Sequence, residues 1–282
     1  MKIACVQMDV KLGEVDHNLA AIEERLRETA SNGVRLAIFP ECAVTGYCFE
    51  SLDEARPFAQ PIPGPATERI SALCAELGMF AIFGLIEVDG DSVYNAAVLT
   101  GPDGVVGSYR KVHLPFLGVD QHVNFGDRPF TVHDIGGLRV GINICYDSAF
   151  PEATRTLALL GADLIALPTN WPPGAECVAA HVLNTRAMEN AVYFAASNRV
   201  GTERGFDFIG CSRICGTKGE TIATSEDTSE TILYAEVDPE VSRNKTAIRE
   251  PGRHAIDRMA DRRPEMYGKL IEAHSLPRPG RD

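Results

Sequence analysis

The chain is short of positive charge, of tryptophan and of long apolar runs, and each shortage narrows its function. Lys and Arg number 27 against 39 Asp and Glu, for a formal net charge of -12. A surface of that sign repels phosphate backbones and anionic headgroups, so neither nucleic acid nor a membrane surface is an expected partner. No apolar stretch approaches the roughly 20 residues that cross a bilayer. Met1-Lys-Ile-Ala-Cys-Val opens directly as a strand, so we expect no signal peptide and a cytoplasmic location. Metal ligands in usable spacing are also scarce. Cys42/Cys48 and Cys211/Cys215 are not CxxC pairs, and no two histidines have zinc spacing. The eight cysteines are read as reduced thiols, with no metal site.

Linkers are missing too. No Pro/Gly/Ser-rich or low-complexity run divides the 282 residues. One domain over residues 1–267 is therefore expected, with a C-terminal extension from about 250 and a tail over 268–282. Apolar residues make up 45% and charged residues 23%, the balance of a soluble globular protein with a sizeable core.

Periodicity supplies the elements. Ile3 to Gln7 reads as a strand. Val15 to Ser31 has Leu19, Ile22, Leu26 and Ala30 on one helical face, with Asp16 as N-cap and Gly33 as stop. Leu36 to Phe39 is a second strand, so the chain opens β-α-β. Pro63-Gly-Pro65 announces a helix over 66–77. Residues 79–88 form a strand, 93–99 and 105–111 a hairpin, and 130–134 pairs with 138–145. The second half repeats the plan: helix 151–160, strand 163–167, helix 175–190, strand 191–197, hairpin 209–215 with 220–225, strand 231–237 and a short helix 239–246. Two βαβ-containing halves imply an α/β fold with helices outside mixed sheets. Arg253 to Tyr267 is charged and poorly periodic, which by charge alone reads as a solvated tail.

Three strand ends carry chemistry. Ala37-Ile-Phe-Pro-Glu41 ends in a carboxylate, Ser108-Tyr-Arg-Lys111 in an ammonium, and Leu138-Arg-Val-Gly-Ile-Asn-Ile-Cys145 in a thiol followed by a helix start. Alone, Cys145 reads as a core thiol, Glu41 as a loop carboxylate and Lys111 as a solvated lysine. Together and in this order, the three motifs resemble the nitrilase superfamily of carbon–nitrogen hydrolases, from Lys2 to about Tyr267. That resemblance implies a four-layer αββα sandwich, no cofactor, and tails that reach across a dimer interface. A homodimer or larger even-numbered oligomer is thus expected.

Thiol-based amide hydrolysis requires a base for the thiol proton, donors for the oxyanion, a proton for the leaving nitrogen and an activated water. Cys145 is the candidate nucleophile, Glu41 the base and acid, and Lys111 the oxyanion and orienting cation, with the backbone N–H of Tyr146 as second donor. The superfamily often has a further glutamate between the lysine and the cysteine. Phe116 to Asp127 contains none. Asp120 is the nearest carboxylate and is expected to replace it, one methylene shorter. The specificity loops are 42–58 and 114–126. Tyr47 in the first is a substrate-contact candidate, as are Asn170 and Trp171 in Pro168-Thr-Asn-Trp-Pro-Pro-Gly174. His113 and His122 read as structural or solvated. Arg186, Glu189 and Asn190 match the family's Arg-Ala-x-Glu-Asn helix signature and read as structural.

Cys-Tyr-Asp resembles the amidase and carbamoylase branches, whereas nitrilases usually show Cys-Trp-Glu. The expected partner is therefore a small amide or N-carbamoyl substrate, cleaved through a cysteine thioester with release of ammonia. The alternatives are a nitrilase and a non-catalytic oligomeric binding protein of the same fold.

Overall fold

The computed structural model describes residues 1–281; Asp282, the last residue of the expected tail, lies outside them. Twelve of its strands fall into two six-stranded halves. Strands β1 (Lys2–Asp9), β2 (Leu36–Ile38), β3 (Phe80–Asp89), β4 (Ser92–Gly101) and β5 (Gly104–Arg110) run in spatial order 5-4-3-2-1. The other half is built from β6 (Val132–Asp134), β7 (Arg139–Ile142), β8 (Leu164–Thr169), β9 (Tyr193–Val200), β10 (Arg213–Cys215) and β11 (Thr221–Thr224). A further strand, β12 (Thr231–Glu236), returns antiparallel to β1 and completes the first half. The halves join where Met8 and Asp9 pair in parallel with Arg199 and Val200.

Period-two patterning explains the layering. Ile3, Cys5, Leu36, Ile38 and Ile82 pack with Val140, Ile142, Leu164 and Ala166 of the other half. Their alternates Ala4, Val6, Ala37, Phe39, Ala81 and Phe83 pack outward against Leu19, Ile22 and Leu26 of α1 (Val15–Ser31) and Ile70 and Leu73 of α2 (Pro65–Leu77). Both faces of these strands are therefore buried, which is why they read as continuous apolar runs. Each fully buried Ile or Leu contributes roughly 1.5–3 kcal/mol. On the second half, α3 (Pro151–Leu159) and α4 (Leu183–Asn190) supply Leu157, Leu183 and Ala187. Helix, sheet, sheet, helix is the expected αββα order. Among the described residues no helix is long and apolar enough to cross a membrane.

Several boundaries differ from the sequence reading. The residue capping α1 is Glu14, without a side-chain bond. Asp16 instead lies in the first turn, where its charge suits the positive helix end. Gly33, at φ 76° directly after the C-cap Asn32, stops the helix as expected. The expected helix 175–190 contains a π-helical turn, Val178–Val182, before α4. Across that wider turn Ala179, Leu183 and Ala187 still face the core. Strand β10 begins only at Arg213, because Gly210 and Cys211 adopt φ of 62° and 57°. The short helix α5 (Pro239–Arg243) stops early. The segment read as a solvated tail is mostly exposed, but it is not without structure. It contains part of a hairpin of β13 (Thr246–Glu250) and β14 (His254–Asp257). Alternating Ala and Ile across Pro251-Gly252 favours that pairing, and charge counting overlooked it.

Candidate active site

Glu41 is placed by the end of β2. The Phe39 N–H still bonds the Ile82 carbonyl at 2.8 Å, and the Pro40 carbonyl accepts from Gly84 at 3.1 Å. Pro40 has no N–H and ends the ladder there. The chain then turns through Cys42, at φ 48°. This close approach requires glycine at 84: a Cβ there would lie 2.2 Å from the Cys42 nitrogen and 2.7 Å from the Glu41 Cα.

Lys111 directly follows β5. Its backbone bonds Asn95 of β4 and Gly126, each at 2.8 Å, so its side chain projects from a fixed point. Asp120 lies on a single 3-10 turn, Gly118–Gln121. Gly118 has φ 48° and lies flat under the Tyr47 ring, where a Cβ would come within 2.4 Å.

These elements bring together five buried groups, Glu41, Tyr47, Asn95, Lys111 and Asp120. The Lys111 ammonium donates to Glu41 Oε1 at 2.6 Å and to Asp120 Oδ2 at 2.5 Å. The Asn95 amide bridges the same carboxylates, donating to Glu41 Oε1 at 2.7 Å and Asp120 Oδ1 at 2.8 Å. The Tyr47 hydroxyl donates to Asp120 Oδ2 at 2.8 Å. Glu41 Oε1 is thus doubly occupied, while Oε2 is buried without a protein partner.

Two carboxylates share one ammonium in a buried site, and that imbalance shifts their proton affinities. Burial would lower the Lys111 pKa, but Asp120 and Glu41 overcome it and hold the ammonium well above its usual range. Burial raises the Glu41 pKa; Lys111 opposes the rise and Asp120 adds to it. Lys111 therefore stays charged, and Glu41 is the carboxyl poised to exchange a proton.

Cys145 follows β7 at a sharp turn. Asn143 still bonds the Ala166 carbonyl of β8, and Cys145 itself has φ 44°. A positive φ in a non-glycine residue is strained, and the 3-10 turn Cys145–Ala149 is tied down on several sides. Asp147 accepts from the Ile144 N–H at 2.9 Å, the Tyr109 hydroxyl at 2.8 Å and the His113 N–H at 3.1 Å. The His113 ring bonds Asp147 at 2.7 Å and stacks on Phe150. Arg186 donates to the Ser148 carbonyl at 3.1 Å and also to that of Ala149. Burial and Glu41 push the Cys145 thiol up to about 12, against Lys111, the Thr169 hydroxyl and the Asn170 backbone N–H, which pull it down. The balance of these effects favours the thiol over the thiolate at rest.

The structure gathers Glu41, Lys111 and Asp120 in one cluster, and the charges of Glu41 and Lys111 act on Cys145. Tyr146 occupies the first turn after Cys145, where a helix leaves its N–H groups without internal acceptors. Asn170 is buried with neither amide atom partnered. Trp171 is buried in the same apolar cluster as Cys145, its N–H held by Asn198 at 2.8 Å. Tyr47 is also buried, with its hydroxyl committed to Asp120 and the Leu117 carbonyl. At the other end of the chain, Arg281 donates to the Asp120 carbonyl, and Arg278 and Arg281 lie over Phe125 at 4.6 Å. Arg278 and Arg281 thus lie against the loop carrying Asp120. Sequence reasoning overlooked Asn95 and Asp147. For Asn95 a signal existed: it is the one amide in Val93-Tyr-Asn-Ala-Ala-Val98, and an amide inside a fully buried strand must find partners.

Comparison with known proteins bears on the family. The carbon-nitrogen hydrolase family model matches residues 2–245. The chain is 40% identical over 268 residues to a protein of Pyrococcus abyssi named nitrilase, covering 95% of this chain and 99% of that one. It is 31% identical to an N-carbamoylputrescine amidase of Solanum lycopersicum, covering 92% and 91%. Among solved structures it resembles an amidase variant from Nesterenkonia sp. AN1 that carries a Michael adduct of acrylamide at its active-site cysteine. The TM-score is 0.74 at 25% identity, covering 87% of this chain and 96% of that one. A thiol, a glutamate and a lysine converging from three strand ends, with a family model spanning most of the sequence, lead to one conclusion: the chain belongs to the carbon–nitrogen hydrolase family, in the nitrilase superfamily.

Proposed function

We propose that this hydrolase is a cofactor-free amidohydrolase that cleaves a small carboxamide or N-carbamoyl compound through a thioester on Cys145. The observation that carries the reading is the asymmetry of Glu41. Its Oε1 is held by Lys111 and Asn95, which leaves Oε2 as the atom free to accept a proton. In the proposed sequence Oε2 takes the Cys145 proton as sulfur attacks the carbonyl carbon. Charge developing on the carbonyl oxygen is met by the Lys111 ammonium and the Tyr146 backbone N–H. The carbon–nitrogen bond breaks, and the proton held by Glu41 passes to nitrogen, which leaves as ammonia. Glu41 then takes a proton from water as it attacks the thioester. This releases the acid and returns the thiol.

Asp120 serves as the second carboxylate, keeping Lys111 charged and aimed. Asn170, with its amide unpartnered, is assigned to hold the substrate's polar group, and Trp171 and Tyr47 to shape the surrounding wall. A homodimer or larger even-numbered oligomer is also proposed. The C-terminal arm exposes Ile248, Met266, Leu270, Ile271 and Leu276, apolar surface that self-association would cover. A second reading, nitrile hydrolysis, is favoured by the relative named nitrilase. Ammonia release from a panel of amides, N-carbamoyl compounds and nitriles separates the two. Turnover of amides or carbamoyl compounds, with an acyl mass on the Cys145 peptide after acid quench, supports the first reading. Turnover of nitriles alone overturns it.

A further inference from the structure

Asp147, the third residue of the Cys-Tyr-Asp motif, takes no part in the proposed reaction, yet it is completely buried. Its Oδ2 accepts from the Ile144 N–H at 2.9 Å and from the Tyr109 hydroxyl at 2.8 Å. Its Oδ1 accepts from the His113 N–H at 3.1 Å and lies 2.7 Å from Nδ1 of the same residue. Ile144 directly precedes Cys145, whereas Tyr109 and His113 flank Lys111, two residues to either side. One carboxylate therefore ties the segment that carries the thiol to the segment that carries the ammonium. The His113 ring adds a second tie, stacked on Phe150 with centroids 3.7 Å apart and planes 10° from parallel.

The sheet ladder does not supply this link. Lys111 follows β5, at one edge of the strand order, and Cys145 follows β7, next to the other edge. Among the described residues the two halves share a ladder where β1 meets β9, remote from both segments in that order. Elsewhere the sheets meet through apolar packing, which is non-directional and sets no register by itself. Fully satisfied hydrogen bonds to a buried side chain do rigidify such a contact. We propose that Asp147 is a positioning residue that holds the Cys145 turn in register with Lys111, and so sets how strongly the ammonium acts on the sulfur. The Lys111 charge favours the Cys145 thiolate, and a Coulombic effect falls off as the charges separate. A turn that drifted from Lys111 would keep its thiol but lose part of that help at the moment of attack.

The inference rests on the roles proposed for Cys145 and Lys111, and the test separates it from them. Asp147→Asn keeps the shape, but its amide accepts at only one of the two oxygen positions. Its NH2 group then faces either the Ile144 N–H or the His113 N–H, and one side of the link breaks. Tyr109→Phe removes a single bond and takes its place if melting curves show that Asp147→Asn does not fold. Each change is made in the wild type and in Lys111→Met. The rate of Cys145 alkylation by iodoacetamide at fixed pH is followed by peptide mass, with kcat and KM for the best amide. With Lys111 present, Asp147→Asn should slow both alkylation and kcat by about ten- to a hundredfold with KM little changed, the scale for hydrogen bonds to a charged group, and Tyr109→Phe by about three- to tenfold. Lys111→Met alone should slow alkylation at least as much as Asp147→Asn. In the Lys111→Met background each change should cost less than about twofold, whereas independent effects would repeat in full. Equal losses in the two backgrounds would make Asp147 a structural residue only and overturn the inference, as would folded variants with unchanged rates. If Lys111→Met alone is alkylated as fast as the wild type, the Lys111 role falls and this inference with it. If wild-type Cys145 is never alkylated while activity persists, the nucleophile assignment itself falls.

Discussion

Replacing Asp120 by asparagine isolates its charge from its shape. The carboxylate takes three bonds, from Lys111 at 2.5 Å, Tyr47 at 2.8 Å and Asn95 at 2.8 Å. Asparagine keeps the volume but removes the negative charge. Lys111 retains Glu41 at 2.6 Å, so the ammonium is not left unpaired, and the full 3–5 kcal/mol cost of breaking a buried pair is not expected. Two effects follow. The ammonium loses one of its two anchors and with it the aim at the oxyanion, a loss worth about two to three powers of ten in kcat, or ~2.7–4 kcal/mol. Asp120 also contributes to the raised pKa of Glu41. Without that charge the Glu41 pKa falls, so the acid limb of the rate profile moves to lower pH. The assay is the pH dependence of kcat and KM for Asp120→Asn and Asp120→Glu, with melting curves as a folding control. Asp120→Glu keeps the charge but adds a methylene at a fully buried position, a strain of about 1–3 kcal/mol; it should retain more activity than Asn. A folded Asp120→Asn enzyme with near-normal kcat and an unmoved acid limb would refute the argument.

Wild-type kcat/KM should fall as pH drops through the Glu41 pKa, above the ordinary carboxylate range, because burial raises it and the base must be ionised to act; Glu41→Gln should abolish both that limb and turnover, and a normal rate in it would remove Glu41 from the site. Lys111→Met should lower kcat by about two to three powers of ten, the scale for a lost oxyanion donor, and a rate within a few-fold of wild type would deny it that role. Ending the chain after Glu250 should weaken self-association, read as solution mass by light scattering, and an unchanged mass would leave the arm as a solvated extension.

The three strand-end motifs were legible through their joint order: singly, Cys145 reads as a core thiol and Lys111 as a solvated lysine, and only Glu41 breaks a buried run. Glu41 after Phe39-Pro40 and Cys145 after Ile144 could be placed without knowing what lay opposite them. The αββα layering was legible only through the family likeness: alternating Ile3, Cys5 and Ala4, Val6 show two buried faces, not which layer covers each. Asp120 could be named as the nearest carboxylate, but its bond to Lys111 depends on a turn at Gly118 that no periodicity reveals. Asp147 binds Tyr109 and His113 across the fold, and a contact of that kind leaves no mark in local pattern; Asn95 left only the mark of an amide inside an apolar strand. The hairpin 246–257 was hidden by the charges that flank its short Ala-Ile alternation.

The central claim is that Cys145 forms a bond to the substrate carbon, and it is tested most directly by the ammonia-release rate of purified, folded Cys145→Ala on the best substrate of the wild type. The account predicts a loss of more than about a thousandfold, the scale for removing a covalent nucleophile. A variant that keeps a tenth or so of wild-type turnover would contradict it.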